Sequence, residues 1–369
     1  MELQEYLRKN GKNGLESLSN DLGIQVRYHQ EYPNLAMLKY SQIKSPFDNI
    51  MVQQARGTIF DMDNNWEVVS LPYHKFFNFG EALAHPIDWN KAKVLQKIDG
   101  SLISIYNYQN KWLVATNGSP DASGSVDIYA FTFRELVDRA WHELNYQWPN
   151  QEDSHLTFMM ELTSPYNRVV VLYPKIDLIL HGVRNRETGE YYSPEEYSQK
   201  YGWHLIQSFP LTTMDEVVEA VGNLNGIQEE GYVVTDGVNR VKIKNPDYLR
   251  YAHMKEGVTP RSLLNTVVTG EGSEMLAYFP QYGQLFNNIK ERYDKLAKEV
   301  DAYYEEVKGI ESQKDFALKI KDVPYSSVLF IMRKFNSDAK TAMLRTNVRT
   351  LEQWTNLKEI DFGSLGEEQ

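Results

Sequence analysis

The sequence contains no cysteine, which excludes disulfide bonds and zinc sites built from thiolates. Its eight histidines include no pair spaced four residues apart, the spacing that binds a metal on a helix. No apolar run reaches the ~18–20 residues that a membrane-spanning helix needs. Residues 1–5 begin acidic and lack the layout of a signal peptide. We therefore expect a cytoplasmic protein without a membrane partner, although a chain free of cysteine also suits an oxidising compartment.

An excess of positive charge is also missing, because the formal net charge is −11. This balance argues against a protein coated in basic surface. A nucleic-acid enzyme can still carry such a charge if its basic residues are concentrated where phosphates bind. The 42% hydrophobic and 24% charged content is that of an ordinary globular protein, and 369 residues are enough for two domains.

The pattern of strands and helices changes near residue 245. Before it, strands predominate and helices are interspersed; after it, no alternating segment predicts a strand. Asn245-Pro246 predicts a helix start, with Asn as the cap and Pro at the first helical position. The fold class predicted is α+β, with an α+β domain over residues 1–245 and an all-helical domain over residues 246–369. Specific elements are predicted as hairpins at 56–60/66–71 and 230–235/240–244, a helix at 128–144, a strand at 169–173 and an amphipathic helix at 289–307.

Lys97 lies between two strand-like runs, Ala92–Gln96 and Leu102–Tyr108, so it is predicted at a turn beside a sheet. A lysine there is a nucleophile, a phosphate ligand or a plain surface charge. Lys242 and Lys244 alternate with apolar residues, so both ammonium groups are predicted on one face of a strand. A strongly anionic ligand explains such a pair, and a solvated strand face explains it equally well.

Four further charged residues are ambiguous when each is taken alone. Glu161 and Glu230 adjoin β-rich runs, where carboxylates are common on surfaces. Arg56 precedes a glycine, and Lys75 precedes two phenylalanines that suit a core. Their order along the chain is more informative than any one of them.

That order resembles the motif set of the covalent nucleotidyltransferases, and most closely the phage-type RNA ligase 1 family. The family's K-E-D-G-S-L-V-S corresponds to K-I-D-G-S-L-I-S at Lys97–Ser104, and its K-F-F-N recurs at Lys75–Asn78. Its F-E-F-V-A-P-T-N-R-I-V is similar to Met160–Val170. Its V-R-E-N-E-T-G-E-Y and N-I-E-G-Y-V correspond to Val183–Tyr191 and Gln228–Val233. The resemblance covers roughly residues 35–255.

The resemblance implies a nucleotidyltransferase (ATP-grasp-like) domain of antiparallel sheets flanked by helices, and an ATP-dependent RNA ligase. Lys97 would form lysyl–AMP, AMP would pass to an RNA 5′-phosphate, and a 3′-hydroxyl would then seal the strand. Lys242 and Lys244 would act with Lys97 in catalysis. Glu161 and Glu230 would hold Mg²⁺ (or Mn²⁺) through water. The implied ATP-binding residues are Tyr40, Arg56, Lys75, Lys97, Asp99, Gly100, Glu161, Glu230, Lys242 and Lys244, with Phe77 packed beneath the site.

The first step needs a neutral amine, whereas a free lysine has a pKa of ~10.4. Moving that pKa to near 7 disfavours the ammonium by about 5 kcal/mol. Neighbouring cations act in this direction, and they also neutralise a triphosphate. Two departures from the family leave the loop less charged: Ile98 replaces an acid, and K-S-K-G-S aligns with Ala115–Ser119, which lacks both lysines.

The segment after residue 245 does not resemble the five-stranded barrel of DNA ligases and capping enzymes, and this favours RNA ligation. In the family a helical C-terminal domain serves tRNA recognition, so RNA with 5′-phosphate and 3′-hydroxyl ends, including nicked tRNA, is the implied partner, in a bacterial or phage-infected cell. Residues 314–349 contain eight basic and three acidic side chains, which suits RNA phosphates or merely a charged exterior. No obligate protein partner is inferred. A DNA ligase, a guanylyltransferase and an inactive RNA-end-binding protein remain alternatives.

Overall fold

The computed structural model describes residues 1–126, 129–253, 260–278 and 282–357. The chain forms two compact units, Met1–Ala252 and His253–Gln369. The division comes later than the predicted boundary after residue 245, since all but the last residue of the helix Pro246–His253 belongs to the first unit. Among the residues that the structure describes, no helix is long and apolar enough to cross a membrane.

A four-stranded antiparallel sheet opens the first unit. Its strands are β1 Gln25–Tyr28, β2 Leu35–Lys39, β3 Arg56–Asp61 and β4 Glu67–Ser70, paired in that order. Three helices belong to the same region: α1 Glu2–Asn10, α2 Asn13–Leu22 and α3 Ile50–Gln54. Leu3, Leu7, Leu18 and Phe60 are buried in the core that these helices form with the sheet. The predicted hairpin of β3 and β4 is confirmed.

A central sheet follows, with strand order β11-β10-β9-β7-β8 and β12 paired to β10. The strands are β7 Ser101–Tyr108, β8 Lys111–Thr116, β9 Leu156–Thr163, β10 Asp177–Asn185, β11 Tyr191–Tyr192 and β12 His204–Leu205. Helices α4 Phe133–Glu143 and α5 Pro194–Tyr201 pack on it. Phe158 and Trp203 are buried between the sheet and these helices.

A third sheet carries the strands that surround the nucleophile candidate. They are β5 Phe77–Asn78, β6 Lys93–Lys97, β13 Ser208–Phe209, β14 Gly231–Thr235 and β15 Arg240–Lys244, in the order β13-β6-β14-β15-β5. Helix α6 Met214–Gly222 packs on β14 and β15. The predicted hairpin of β14 and β15 is confirmed. The expectation of antiparallel sheets needs a correction, since β15 pairs with β5 and β10 with β12 in parallel.

The chain crosses from the third sheet to the central sheet at Ile98-Asp99-Gly100. Lys97 is the last residue of β6, and Ser101 is the first of β7. The predicted turn is therefore a crossing between sheets, and the hairpin that follows joins β7 to β8. A Cβ atom on Gly100 would lie 2.5 Å from the carbonyl oxygen of Leu162 and 2.9 Å from Cγ of Glu161, so only glycine fits without a shift.

Two predicted elements differ in the structure. The helix predicted from residue 128 begins at Phe133, because Thr132 and Glu135 form a capping box there; residue 128 itself lies outside the described residues. The strand predicted at 169–173 is wrong: residues 164–176 form a loop. The three consecutive valines at 169–171 favour a strand. Instead, the backbone N–H groups of Val170 and Val171 donate hydrogen bonds to the side chain of Asp99.

In the second unit the described residues form helices. These are α8 Pro260–Thr269, α9 Gly272–Tyr278, α10 Gly283–Val307, α11 Gln313–Ile320, α12 Ser326–Phe335, α13 Ala339–Met343 and α14 Val348–Trp354. The predicted amphipathic stripe is confirmed in α10, where Ile289, Tyr293, Leu296 and Val300 are buried. Tyr303, predicted on the same stripe, is only partly buried.

Helix α7 Pro246–His253 is capped by Asn245, whose side-chain oxygen and amide group each form two hydrogen bonds. The predicted cap is confirmed. The Asn245 side chain accepts hydrogen bonds from the backbone N–H groups of Asp247 (2.7 Å) and Tyr248 (2.9 Å). Its amide donates to the carbonyls of Val221 and Leu224, both at 2.9 Å. One side chain of 1% exposure therefore joins α7 to the end of α6.

Replacing Asn245 with Ala should lower the free energy of unfolding by about 3 kcal/mol, because two carbonyls lose their donor and α7 loses its cap. Urea unfolding followed by tryptophan fluorescence measures the change. The matched control is Asn49→Ala, which removes a single cap bond to Met51 and should cost about 1 kcal/mol. Equal losses in the two variants would show that the bonds to Val221 and Leu224 contribute nothing.

Candidate active site

A cavity of about 280 Å³ is lined by residues from all three sheets. Six of the residues implied by the sequence line it: Arg56, Lys97, Gly100, Glu161, Lys242 and Lys244. They come from β3, β6, the crossing, β9 and β15, so the fold gathers residues that are far apart in sequence. The four that do not line it are Tyr40, Lys75, Asp99 and Glu230.

Glu230 lies at the base of the site and is bonded to the nucleophile candidate. Its carboxylate is 2.6 Å from Nζ of Lys97 and 3.4 Å from Nζ of Lys244, and its side chain is 4% exposed. The register explains this arrangement, since Gly231 is opposite both Lys97 on β6 and Lys244 on β15. A Cβ at Gly231 would lie 2.1 Å from the carbonyl oxygen of Ile243, so the glycine allows β15 to approach. A buried carboxylate needs such partners.

The lysine pair on β15 is one-sided, as predicted. Val241 and Ile243 are each 2% exposed and lie in the core with α6. Lys242 and Lys244 project to the other face and line the cavity. The ammonium of Lys242 also lies 5.3 Å from the ring centre of Phe76.

Glu161 enters the cavity from the central sheet, beside an unexpected histidine. Its carboxylate is 3.5 Å from Nε2 of His181 on β10. The Tyr73 hydroxyl donates to the His181 carbonyl at 2.8 Å, and the two rings are stacked. Burial raises the pKa of Tyr73 to about 12, so this hydroxyl remains a donor at neutral pH.

Sequence reasoning missed Tyr73, His181, Phe76 and Arg240 as lining residues. His181 is a single histidine in an apolar strand, and Tyr73 follows a proline in a segment without a regular pattern, so neither carries a local signal. Arg240 begins the predicted strand of the lysine pair and lies on their side of β15 by the same alternation. That alternation was the one signal that could have found it.

Asp99 does not line the cavity but anchors the loop at residues 164–176. One carboxylate oxygen accepts the backbone N–H groups of Val170 (2.8 Å) and Val171 (2.7 Å), and the other accepts the Tyr248 hydroxyl (2.8 Å). The side chain is 4% exposed. Asp99 thus positions the crossing that follows Lys97. This agrees with the expectation that Asp99 shapes the lysine loop, and Asp99 is not a lining residue of the cavity.

Lys75 also lies beside the cavity, within a cage of aromatic rings. Its ammonium is 4.1 Å from the ring centre of Phe47, 5.1 Å from Phe77 and 5.3 Å from Tyr40. Phe77 is buried beneath this lysine. Phe76, rather than Phe77, lines the cavity, and the Arg56 guanidinium lies 5.6 Å from the centre of the Phe76 ring.

The position that departs from the family pattern also reaches the cavity. Asn117, where the family has a lysine, lines it. A Cβ on Gly57 would lie 3.2 Å from Oδ1 of Asn117, so the Arg56-Gly57 backbone runs against this asparagine. The lining carries the amide of Asn117 where the family pattern has a lysine.

The charges of the cavity suit a polyanion. Arg56, Lys97, Arg240, Lys242 and Lys244 line it, against the single lining carboxylate of Glu161. In the described part of the chain no three histidine or acidic side chains form a metal-binding group. Mg²⁺ usually keeps several waters and needs only one or two carboxylates besides phosphate oxygens. Glu161 and Glu230 fit such a hydrated ion better than a protein cage.

The sequence matches are to RNA ligases. A family model described as RNA ligase matches residues 54–248. A putative bifunctional polynucleotide kinase/RNA ligase of Autographa californica nuclear polyhedrosis virus is 31% identical over 288 residues, which cover 72% of this chain and 40% of that protein. An RNA ligase of Rhodothermus phage RM378 is 27% identical over 375 residues, covering 80% of this chain and 84% of the phage protein.

A solved structure of an archaeal ATP-dependent RNA ligase covers 87% of this chain and 90% of its own, with 14% identity and a TM-score of 0.48. That value is too low to support an argument about fold, so the family assignment rests on the sequence matches. The chain spans well under half the length of the baculovirus relative and most of the phage relative.

Replacing Asp99 with Ala should release the loop at residues 164–176, because the backbone of Val170 and Val171 loses its acceptor. Hydrogen exchange of those two amides should become at least about tenfold faster, which corresponds to about 1.4 kcal/mol of lost protection. Asp63→Ala is the control, since Asp63 is 70% exposed and makes a surface ion pair. Unchanged exchange at Val170 and Val171 would contradict the anchoring role.

Proposed function

Because the chain belongs to the phage-type RNA ligase 1 family, we propose that it is an ATP-dependent RNA ligase that joins 5′-phosphate and 3′-hydroxyl RNA ends. The observation that supports this most is the environment of Lys97. The Lys97 amine lines one cavity with Arg56, Lys242 and Lys244, and it is the lysine closest to the buried carboxylate of Glu230, at 2.6 Å against 3.4 Å for Lys244. A cationic, phosphate-binding cavity around a lysine nucleophile is what nucleotidyl transfer requires.

In the first step Lys97 attacks the α-phosphorus of ATP. The Nζ–P bond forms, the bond to the β-phosphate oxygen breaks, and pyrophosphate leaves. The lysine must give up a proton, and Glu230 is the group already hydrogen-bonded to its Nζ, at 2.6 Å. Lys242, Lys244 and Arg56 hold the phosphate charge as it shifts to the leaving group.

In the second step the RNA 5′-phosphate attacks the lysyl–AMP phosphorus, and Lys97 leaves as the amine. In the third step a 3′-hydroxyl attacks the activated 5′-phosphate, which forms the phosphodiester and releases AMP. Glu161 and Glu230 are the residues that would hold Mg²⁺, with Mn²⁺ as a substitute. The ion supplies positive charge to the phosphates. Asp99 and Gly100 position Lys97 and leave the ligand contacts to the lysines.

Incubation with ATP and magnesium should add one AMP to the intact protein, and Lys97→Ala should abolish the gain, because Lys97 is the proposed nucleophile and its Nζ is the one hydrogen-bonded to Glu230 at 2.6 Å. Intact-mass spectrometry measures it. The matched control is Lys91→Ala, whose side chain is 74% exposed. An adduct formed from GTP alone would favour guanylyl transfer. No adduct from either nucleotide would favour an RNA-end-binding protein.

The second unit contributes to RNA binding in this proposal, through part of the basic segment at residues 314–349. Arg333 and Lys340 are already engaged: the Arg333 guanidinium donates to the carbonyls of Ile310 (2.6 Å) and Glu311 (2.7 Å), and Lys340 pairs with Asp294 at 2.6 Å. The exposed basic residues that remain for phosphates are Lys314, Lys319, Lys321, Lys334, Arg345 and Arg349. On the family resemblance, a nicked tRNA in the cytoplasm is the substrate that we favour.

Reversing Lys314, Lys319 and Lys334 to Glu should weaken RNA binding and flatten its salt dependence. Each lost phosphate contact reduces the slope of log K against log salt by about 0.7–0.9. Fluorescence anisotropy with a labelled RNA hairpin over a salt series measures both quantities. The control reverses Lys9, Lys295 and Lys298, which are equally exposed. Identical affinities and slopes for the two triple variants would exclude this segment as a specific RNA contact.

A further inference from the structure

A second and larger cavity, of about 680 Å³, adjoins the cavity of Lys97. The two share Tyr73, Phe76 and Arg240. We name the new cavity the arginine cleft. Its defining residues are Tyr73, His74, Arg184, Tyr191, Tyr192 and Arg240.

The two arginines of the cleft are stacked on tyrosines without an acidic partner. The Arg240 guanidinium lies 3.9 Å from the ring centre of Tyr191 and 4.5 Å from that of Tyr73, and Arg184 lies 4.7 Å from Tyr191. In the described part of the chain neither forms an ion pair with a carboxylate. Arg184 is held by bonds to the carbonyls of Gly189 and Pro72, both at 2.9 Å. Burial, with a smaller effect of Arg240, lowers the pKa of Arg184.

His74 adds a donor or acceptor that the protein leaves unused. Its Nε2 atom is buried, and within the described residues it has no hydrogen-bond partner. Burial and the nearby arginines lower the pKa of His74 to about 3, so the ring is neutral near neutral pH. Two clustered guanidinium groups and an unpaired ring nitrogen are a costly arrangement unless a ligand completes it. The charges require that ligand to be an anion.

The aromatic side chains select the kind of anion. Tyr191, Tyr192 and Phe76 line the cleft together with the arginines. Grooves that bind single-stranded nucleic acid combine cationic and aromatic side chains in this way. Of the implied ATP-binding residues, Lys75 lines the cleft, whereas Arg56, Lys97, Lys242 and Lys244 line the other cavity. A polynucleotide whose end reaches Lys97 would place its next phosphates in the adjoining space.

We infer that the arginine cleft binds the phosphodiester backbone of the RNA strand that carries the 5′-phosphate. Arg184 and Arg240 contact its phosphates, and the tyrosines contact its bases or sugars. This inference rests on the proposed function, because it assumes that the strand's 5′ end is presented to Lys97. Arg184 and Arg240 would then contact RNA phosphates in a chain that has Ala115 and Asn117 where the family has two lysines.

The rim of the cleft offers two substitutions with opposite expected effects. Glu190 is the single carboxylate among the described lining residues, and the exposed Thr188 donates a hydrogen bond to it at 3.2 Å. Glu190→Gln removes the one repulsive charge, so binding of RNA should become tighter. Thr188→Glu adds a second negative charge at the same place, so binding should become weaker. Both positions are exposed, and neither substitution disturbs the core.

The test measures the affinity of the full chain for a 5′-phosphorylated, single-stranded RNA without ATP, by fluorescence anisotropy at low salt. We expect Glu190→Gln to bind about threefold more tightly and Thr188→Glu about fivefold more weakly, with the difference shrinking as salt screens the charges. Formation of lysyl–AMP from ATP is measured in parallel. Opposite shifts in RNA affinity support the cleft.

The remaining outcomes separate the two proposals. If the wild type forms lysyl–AMP but all three proteins bind RNA equally, the cleft proposal is overturned and the proposed function stands. If the two variants change lysyl–AMP formation and leave RNA affinity unaltered, the cleft holds phosphates of ATP, which also overturns the proposal. If the affinities shift as expected while no lysyl–AMP forms in any protein, the cleft stands and the ligase assignment fails.

Discussion

The buried carboxylate of Glu230 is the constraint on which the site depends. A carboxylate of 4% exposure must be paired, and its partners are Lys97 and Lys244. Lys97 ends β6, Lys244 ends β15, and Glu230 directly precedes β14. One ionic cluster therefore joins three strands. Gly231 permits the approach, because a side chain there would collide with Ile243. The same contact holds the amine of Lys97 at the cavity, and in the proposed reaction it makes Glu230 the acceptor of the Lys97 proton.

A second buried carboxylate, Asp99, fixes the segment that directly follows Lys97 in the chain. It ties the crossing between two sheets to the loop at residues 164–176 and to Tyr248 of α7. Lys97 therefore lies between two buried acids, Glu230 and Asp99, and neither of them is a lining residue of the cavity. The cationic residues Arg56, Lys242 and Arg240 face the cavity instead. In the proposed mechanism, Glu230 and Asp99 position the nucleophile while the cationic residues bind phosphate.

Local patterns predicted those parts of the site that depend on local geometry. The alternation at 240–244 correctly placed Lys242 and Lys244 on one face, and Asn245-Pro246 correctly marked a helix start. Pairing across sheets is a long-range property, so nothing local showed that β6 and β7 belong to different sheets. The valines at 169–171 favour a strand by propensity, but the tertiary bonds of Asp99 hold them as a loop. Tyr73 and His181 carry no signal in the sequence because their position depends on the packing of distant strands.

The account rests on Lys97 being the residue that carries AMP, although Lys242 and Lys244 line the same cavity. The most direct measurement is to locate the nucleotide. The protein is incubated with ATP and magnesium, digested, and its fragments are sequenced by tandem mass spectrometry. The account predicts AMP on the side chain of Lys97 alone. AMP on Lys242 or Lys244 would contradict it.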